Sequence, residues 1–347
     1  MQFARTLPRE LVHRAAIAEV FLTDAERRSE DEVLLAAQLP RRHPFYDDTL
    51  APRTHHDPFM LLEACRQGIF VVAHRCFAVP LGHRFLLRTA GFEVLDPAAL
   101  TPGDTPTEAV ISARVQRRFR CRSGTTGLRL AFTAVVGARR AMTARIDYSW
   151  MAPPDWTRLR AKQRGAYGLF KPPAALRGPR AEPALVGRRD PANVVVSPPH
   201  TTGDGGRAAR LVAGTSHPTM YDHWVDHVPG MLELEACRQL ALAAATEDAT
   251  DTPTSTALPV SLSARFRRFA EMDLPLLCLA AVPVPGEDAE CSLLQLGTPV
   301  AEARIGFAGR DTAEAGLVGA AGAGAGAVAG AGEGAGPRAG TGGRPLL

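Results

Sequence analysis

The pentapeptide Glu63-Ala-Cys-Arg-Gln67 recurs letter for letter as Glu235-Ala-Cys-Arg-Gln239, 172 residues further on. On a helix, a carboxylate and a guanidinium three residues apart share one face. If that helix is buried, the two charges admit two readings. Either the pair neutralises itself or ties the helix to surrounding structure, or it forms a polar site set into an apolar wall. Cys65 and Cys237 lie between the charged residues and point off their face, so they are assigned to core packing rather than to nucleophilic chemistry. Gln67 and Gln239 follow each Glu by four residues on its own face. They would either orient the carboxylate or satisfy a buried backbone group.

The residues flanking the pentapeptides specify helices. Asp57-Pro58 and Pro229-Gly230 are helix-start signals, and each is followed by Met, Leu and a Glu. The first helix, about residues 58–77, is apolar nearly all round, the pattern of a helix enclosed by other structure. Upstream of each copy stands a His-Pro pair with Tyr-Asp behind it: His43, Pro44, Tyr46, Asp47, and His217, Pro218, Tyr221, Asp222. Further upstream still, Val12-His-Arg14 answers Val186-Gly-Arg188 at a spacing of 174. An ordered series of this kind identifies an internal repeat. After each helix come segments that read as strands: 85–95, 109–119 and 127–148 in the first half, 258–268, 274–284 and 291–307 in the second. Each half is therefore expected to be one helix followed by strands, and the two halves to pack as a pseudo-dimer with their helices side by side beneath a continuous sheet.

The rest of the chain narrows the function classes. With 40 basic and 36 acidic residues and 46% hydrophobic content, neither wholesale disorder nor a nucleic-acid coat is indicated. Residues 152–183 are Pro-rich and carry seven basic residues between 158 and 180 without an acidic one, which reads as a solvated linker in preference to an anion-binding patch. The Gly/Ala segment 309–347 is expected to be disordered. The charged opening segment argues against a secretory signal and the apolar runs against a membrane span, so the expected location is cytoplasmic. The six cysteines form no CxxC or zinc-ligand spacing, so no metal site and no disulfide framework is expected.

The set VHR, AAQLPRRHPFYDD, DPFMLLEACRQ, VPLG and HPTMYDHWVDHVPGMLELEACRQ resembles the AfsA family of A-factor biosynthesis proteins, over about residues 5–307. The resemblance implies an α+β double hot-dog fold, two tandem repeats at 1–151 and 184–308, each a long central helix wrapped by an antiparallel sheet. It also implies an acyltransferase that joins a β-ketoacyl group from an acyl carrier protein to the hydroxyl of dihydroxyacetone phosphate, on the way to γ-butyrolactone signals. No bound cofactor is implied, the phosphopantetheine arm of the carrier acting as substrate carrier. A hot-dog dehydratase or thioesterase is the alternative enzyme class, and a non-catalytic acyl-binding regulatory module the non-enzymatic one. Where the dehydratases of this fold place a small residue between Glu and Gln, this chain has Arg66 and Arg238, a forked cation suited to a phosphorylated acceptor.

On this resemblance, Glu235 or Glu63 would accept the proton of the acceptor hydroxyl, burial raising its pKa toward working pH. Arg238 or Arg66 would hold the phosphate, and the N–H groups at Gly230 and Met231 would stabilise the thioester oxyanion. His43 and His217 would orient thioester or acceptor, or else pack locally in their turns. Because Pro229-Gly230 belongs to the second half and Asp57 would occupy the N–H groups of the first, Glu235 is expected to carry the chemistry and Glu63 to support it. Arg41 and Arg42, ahead of His43, are expected to serve an anion.

Overall fold

A computed structural model describes residues 1–50, 54–122, 124–212, 214–245, 258–282, 284 and 286–308. The expected disordered segment 309–347 lies outside the described residues. In the first half, β1 (Leu22–Arg27) and β2 (Glu32–Leu39) precede α1 (Pro58–Cys76), and β3 (Arg84–Val94), β4 (Thr107–Cys121), β5 (Gly124–Val136) and β6 (Arg139–Met151) follow it. After α2 (Pro153–Ala166), the second half repeats the order. There β7 (His200–Thr201) and β8 (Arg207–Arg210) precede α3 (Gly230–Ala244), and β9 (Pro259–Phe266), β10 (Leu276–Ala280), β11 (Ala289–Gln295) and β12 (Thr298–Phe307) follow.

All twelve strands form one sheet in the order β1-β2-β4-β5-β6-β3-β9-β12-β11-β10-β8-β7. Read outward from the centre, the two halves have the same connectivity, and every pairing is antiparallel. The halves meet where β3 pairs with β9, Gly91 opposite Ser263. Gly91 also faces Arg145, and Ser263 faces Arg304, so the junction pairs equivalent positions about a local two-fold axis. Glycine is required there because a Cβ at Gly91 would lie 2.6 Å from the Leu262 carbonyl oxygen. The double hot-dog fold expected from the sequence is thus the observed one.

Three expectations are corrected. Each half opens with a hairpin before its helix, so a half is more than a helix followed by strands. Segments 127–148 and 291–307 are each two strands, turned at Gly137 and at Leu296-Gly297, all three with positive φ. The basic connector is a solvated linker only in its later part, where residues 165–180 are exposed or half-buried: it begins with α2, whose Trp156, Arg160 and Arg164 are buried. Arg160 makes a two-pronged pair with Glu271 at 2.8 Å, and Arg164 binds Asp273 and Glu271, which anchors the connector to the second half.

Helix α1 starts because Asp57 accepts the Phe59 N–H at 2.9 Å and Pro58 takes the first helical position. Its side chains from Pro58 to Cys65 are all buried. Each fully buried Leu, Met or Phe here contributes about 1.5–3 kcal/mol of transfer free energy, which holds the helix within the sheet despite the charges it carries. Among the described residues no helix is long and apolar enough to cross a membrane, and Cys65, Cys76, Cys237, Cys278 and Cys291 are free thiols.

Candidate functional site

Burying Glu63 at 0% exposure requires partners for both carboxylate oxygens. Arg66 donates to both, at 2.6 and 2.9 Å, Gln67 donates at 3.0 Å, and Arg14 forms a fourth, very short contact. Glu235 is held in the same way, by Arg188 at 3.0 and 2.7 Å, Arg238 at 2.7 Å and Gln239 at 2.6 Å. Each Gln does both of the jobs considered for it. Gln67 also donates to the Glu19 carbonyl and accepts from the Phe21 N–H, and Gln239 donates to the Asn193 carbonyl and accepts from Val195. Sequence reasoning missed Arg14 and Arg188 as part of the clusters, although both are the last residues of the landmarks 174 apart.

The expected rise in the Glu pKa does not occur. Burial alone would raise Glu63, but the Arg14 and Arg66 guanidiniums outweigh it and bring the carboxyl down to about 2. Glu235 is also lowered: Arg188 and Arg238 overcome its burial. With four donors from Arg66, Arg14 and Gln67 on its two oxygens, the Glu63 carboxylate has its lone pairs committed and acts as a positioning anion. Because the Glu63 pKa is lower in the folded state, its stabilisation is complete above the ordinary value of 4.5 and is lost as pH falls toward 2. Wild-type protein should therefore lose melting temperature steeply between about pH 4.5 and 2, and Glu63→Gln should flatten that part of the profile.

The clusters differ in what the other half brings to them. Asp57, at the start of α1, forms an ion pair with Arg238 of α3, whose guanidinium also sits 5.1 Å from the Phe59 ring centroid. At the pentapeptide spacing of 172, the counterpart of Asp57 is Pro229, which has no carboxylate to offer Arg66. A cavity of about 180 Å³ lies here instead, lined by Arg14, Glu63 and Arg66 from the first half and by Pro229, Gly230 and Met231 from the second. The Arg66 side chain is 15% exposed, against 7% for Arg238. Helix α3 starts on Pro229 without a side-chain cap, so its first N–H groups remain available beside the cavity. A larger open hollow of about 1370 Å³ lies along the outward polar residues of the sheet and is lined by neither Glu–Arg cluster.

This geometry departs from the expected pairing of the Gly230–Met231 helix start with Glu235 and Arg238. Gly230 and Met231 face Glu63 and Arg66 across the cavity, whereas Glu235, Arg238 and Gln239 are not among its lining residues. His43 and His217 are turn residues: each accepts two backbone N–H groups at Nδ1, from Phe45 and Tyr46 and from Thr219 and Met220. Their Nε2 atoms meet Glu19 at 3.4 Å and Asn193 at 3.1 Å, and neither histidine lines the cavity. Arg41 and Arg42 are exposed and also lie outside it. Cys65 and Cys237 are buried, and burial pushes the Cys65 thiol far up, consistent with core packing.

A twelve-stranded sheet of two equivalent halves around two charged, buried helices defines a tandem hot-dog protein. Residues 1–152 and 174–305 match the A-factor biosynthesis hotdog domain, and the chain belongs to the AfsA family. It is 34% identical over 286 residues to the 2-oxo-3-(phosphooxy)propyl 3-oxoalkanoate synthase of Streptomyces virginiae, covering 82% of this chain and 89% of that one. It is 30% identical to the protein of the same name from Streptomyces coelicolor, over 81% and 83% of the two chains. Among solved structures, the dehydratase domain from the CurF module of curacin polyketide synthase aligns at TM-score 0.48 and 9% identity, over 82% of this chain and 98% of that one.

Proposed function

We propose that this protein is an acyltransferase that moves a β-ketoacyl group from the phosphopantetheine arm of an acyl carrier protein to the hydroxyl of dihydroxyacetone phosphate. The observation that carries the reading is the asymmetry at the two arginines. Arg238 is neutralised by Glu235 and Asp57, while Arg66 has Glu63 but opens on a cavity where its counterpart has a carboxylate. Asp226 also lines the cavity but is paired with Arg160, and Asp222 is paired with Arg14, so among the described residues Glu63 is the carboxylate ion-paired with Arg66, and a guanidinium binds a phosphate by a two-pronged fork. Arg14 and Glu63 hold that fork in place. The N–H groups of Gly230 and Met231, at the positive end of α3, border the same cavity and would stabilise an oxyanion there. The relatives' name, which describes a phosphooxypropyl ester of a 3-oxoalkanoate, supports the same pairing of substrates.

Mass spectrometry of purified protein incubated with β-ketoacyl carrier protein, with and without dihydroxyacetone phosphate, tests this. The expected outcome is a phosphorylated ester and free carrier thiol only when the acceptor is present. Release of free acid, or of water from a hydroxyacyl carrier, would instead establish the thioesterase or dehydratase class. No turnover of any acyl carrier would leave the binding module.

A further inference from the structure

The repeat sets a histidine against a glycine. At the landmark spacing of 174, His13 corresponds to Gly187, and both residues have left-handed backbone conformations at the ends of short 3-10 turns, with φ 52 and 75. Gly187 takes this conformation without penalty, whereas a residue with a Cβ is disfavoured in it. The first half therefore keeps a strained residue where the second keeps the easy one, and strain of this kind is retained where surrounding structure and use require it.

The ring of His13 is tightly fixed. It stacks on Phe70 at 4.3 Å between centroids and meets Phe85 edge-on at 5.0 Å. Its Nε2 lies 2.9 Å from Nε2 of His74, whose Nδ1 lies 2.6 Å from the Val79 carbonyl oxygen. A carbonyl only accepts, so His74 carries its proton on Nδ1 and its Nε2 accepts from His13. Neutral His13 then has its proton on Nε2 and a lone pair on Nδ1. Among the described residues nothing hydrogen-bonds that Nδ1, and it is not a buried orphan atom. His13 lines the same cavity as Glu63, Arg66 and Gly230.

We infer that His13 is the general base of the cavity, taking the proton from the acceptor hydroxyl through Nδ1 while the His74–Val79 chain fixes its tautomer. The inference rests on the acyl-transfer reading above and gives the cavity a lone pair that Glu63 does not offer, since both Glu63 oxygens are taken by Arg14, Arg66 and Gln67. The hydroxyl oxygen bonds to the thioester carbonyl carbon as its proton passes to Nδ1. The tetrahedral oxyanion collapses, the C–S bond breaks, and the departing pantetheine sulfur takes the proton back from His13. No oxidant or metal enters the balance. Burial, together with the cationic neighbours Arg66 and Arg84 and the imidazoles of His74 and His223, keeps His13 unprotonated, with its pKa down to about 3. A dianionic phosphate bound among those cations would raise its proton affinity when the acceptor is in place.

The counterpart glycine supplies the test. His13→Gly removes the ring and relieves the backbone, and the relieved strain offsets part of the lost contacts with Phe70, Phe85 and His74, so it should remain folded with a modest fall in melting temperature. Transfer to dihydroxyacetone phosphate should fall by about 10²- to 10⁴-fold, and added imidazole should restore part of the rate, a response that a packing role would not give. Wild-type rates in the variant, or loss without rescue by imidazole or other small amines, would overturn the assignment. If His13→Gly does not fold, His13→Asn, which tolerates the same φ, is measured in its place with the same criteria. If the wild type acylates another alcohol or water but not dihydroxyacetone phosphate, and His13→Gly abolishes that, the base stands and the acceptor assignment fails.

Discussion

Replacing Arg66 by alanine should lower transfer to dihydroxyacetone phosphate by about 10²- to 10³-fold while leaving the chain folded. The loss corresponds to about 3–4 kcal/mol of transition-state stabilisation, somewhat more than the roughly 1.5–3 kcal/mol of one hydrogen bond to a charged group, because a forked contact is lost. The fold should survive because Glu63 retains Arg14 and Gln67, and because the Arg66 side chain already borders open space. Unphosphorylated dihydroxyacetone separates the readings. With wild type it should be a poor acceptor, and Arg66→Ala should be nearly indifferent to the phosphate. Initial rates with both acceptors decide the matter. Equal use of the two by wild type, or an unchanged preference in Arg66→Ala, would mean that Arg66 only neutralises Glu63.

That the cavity belongs to Arg66 and not Arg238 was not legible in the sequence, for a physical reason. Spacing along a helix shows which side chains share a face, and it correctly grouped Glu63 with Arg66 and Gln67. It does not show which helix start lies across from that face. The sequence pairs Gly230 with Glu235 because they are five residues apart, but the packing of the halves sets Gly230 opposite Glu63 and Asp57 opposite Arg238. Arg14 and Arg188 were visible as repeat landmarks and invisible as ligands, since 49 and 47 residues separate them from their carboxylates.

Local structure was legible in proportion to its local signals. The helices announced themselves through Asp57-Pro58 and an apolar run. The hairpins before them did not: in β2 the letters EVLLAAQL run apolar through residues 33–37 and hide the alternation that burial shows, with Val33, Leu35, Ala37 and Leu39 buried and Glu32, Leu34 and Gln38 half-buried, and β7 is two residues long. The Pro-rich basic stretch hid α2 because its buried side chains include arginines, whose acidic partners Asp226, Glu271 and Asp273 come from 60 or more residues away. The equivalence of the halves, by contrast, followed from repeated letters and is reproduced in the register at Gly91 and Ser263.

If the Glu235 cluster is the closed, structural copy of the Glu63 cluster, Arg188→Met should be felt in stability and not in chemistry. Arg188 is 1% exposed and serves Glu235 together with the carbonyl oxygens of Phe45, at 2.7 Å, and Asp48, at 3.0 Å. Its guanidinium also lies 4.4 Å from the Phe45 ring centroid. Removing one partner of a buried ion pair costs about 3–5 kcal/mol, because the other charge stays buried with less compensation. For a folded unit of this size each kcal/mol lowers the melting temperature by roughly 2–4 °C, so a fall of about 6–20 °C is expected. Replacing both partners, as Arg188→Met with Glu235→Leu, should recover part of the loss, since the buried carboxylate that the single variant leaves undercompensated is then gone as well. Acyl transfer per folded molecule should stay within a few-fold of wild type in the single variant, measured at a temperature where it is fully folded. A collapse of transfer in well-folded Arg188→Met would place chemistry at Glu235 after all, and an unchanged melting temperature would contradict the burial on which the closed-copy assignment depends.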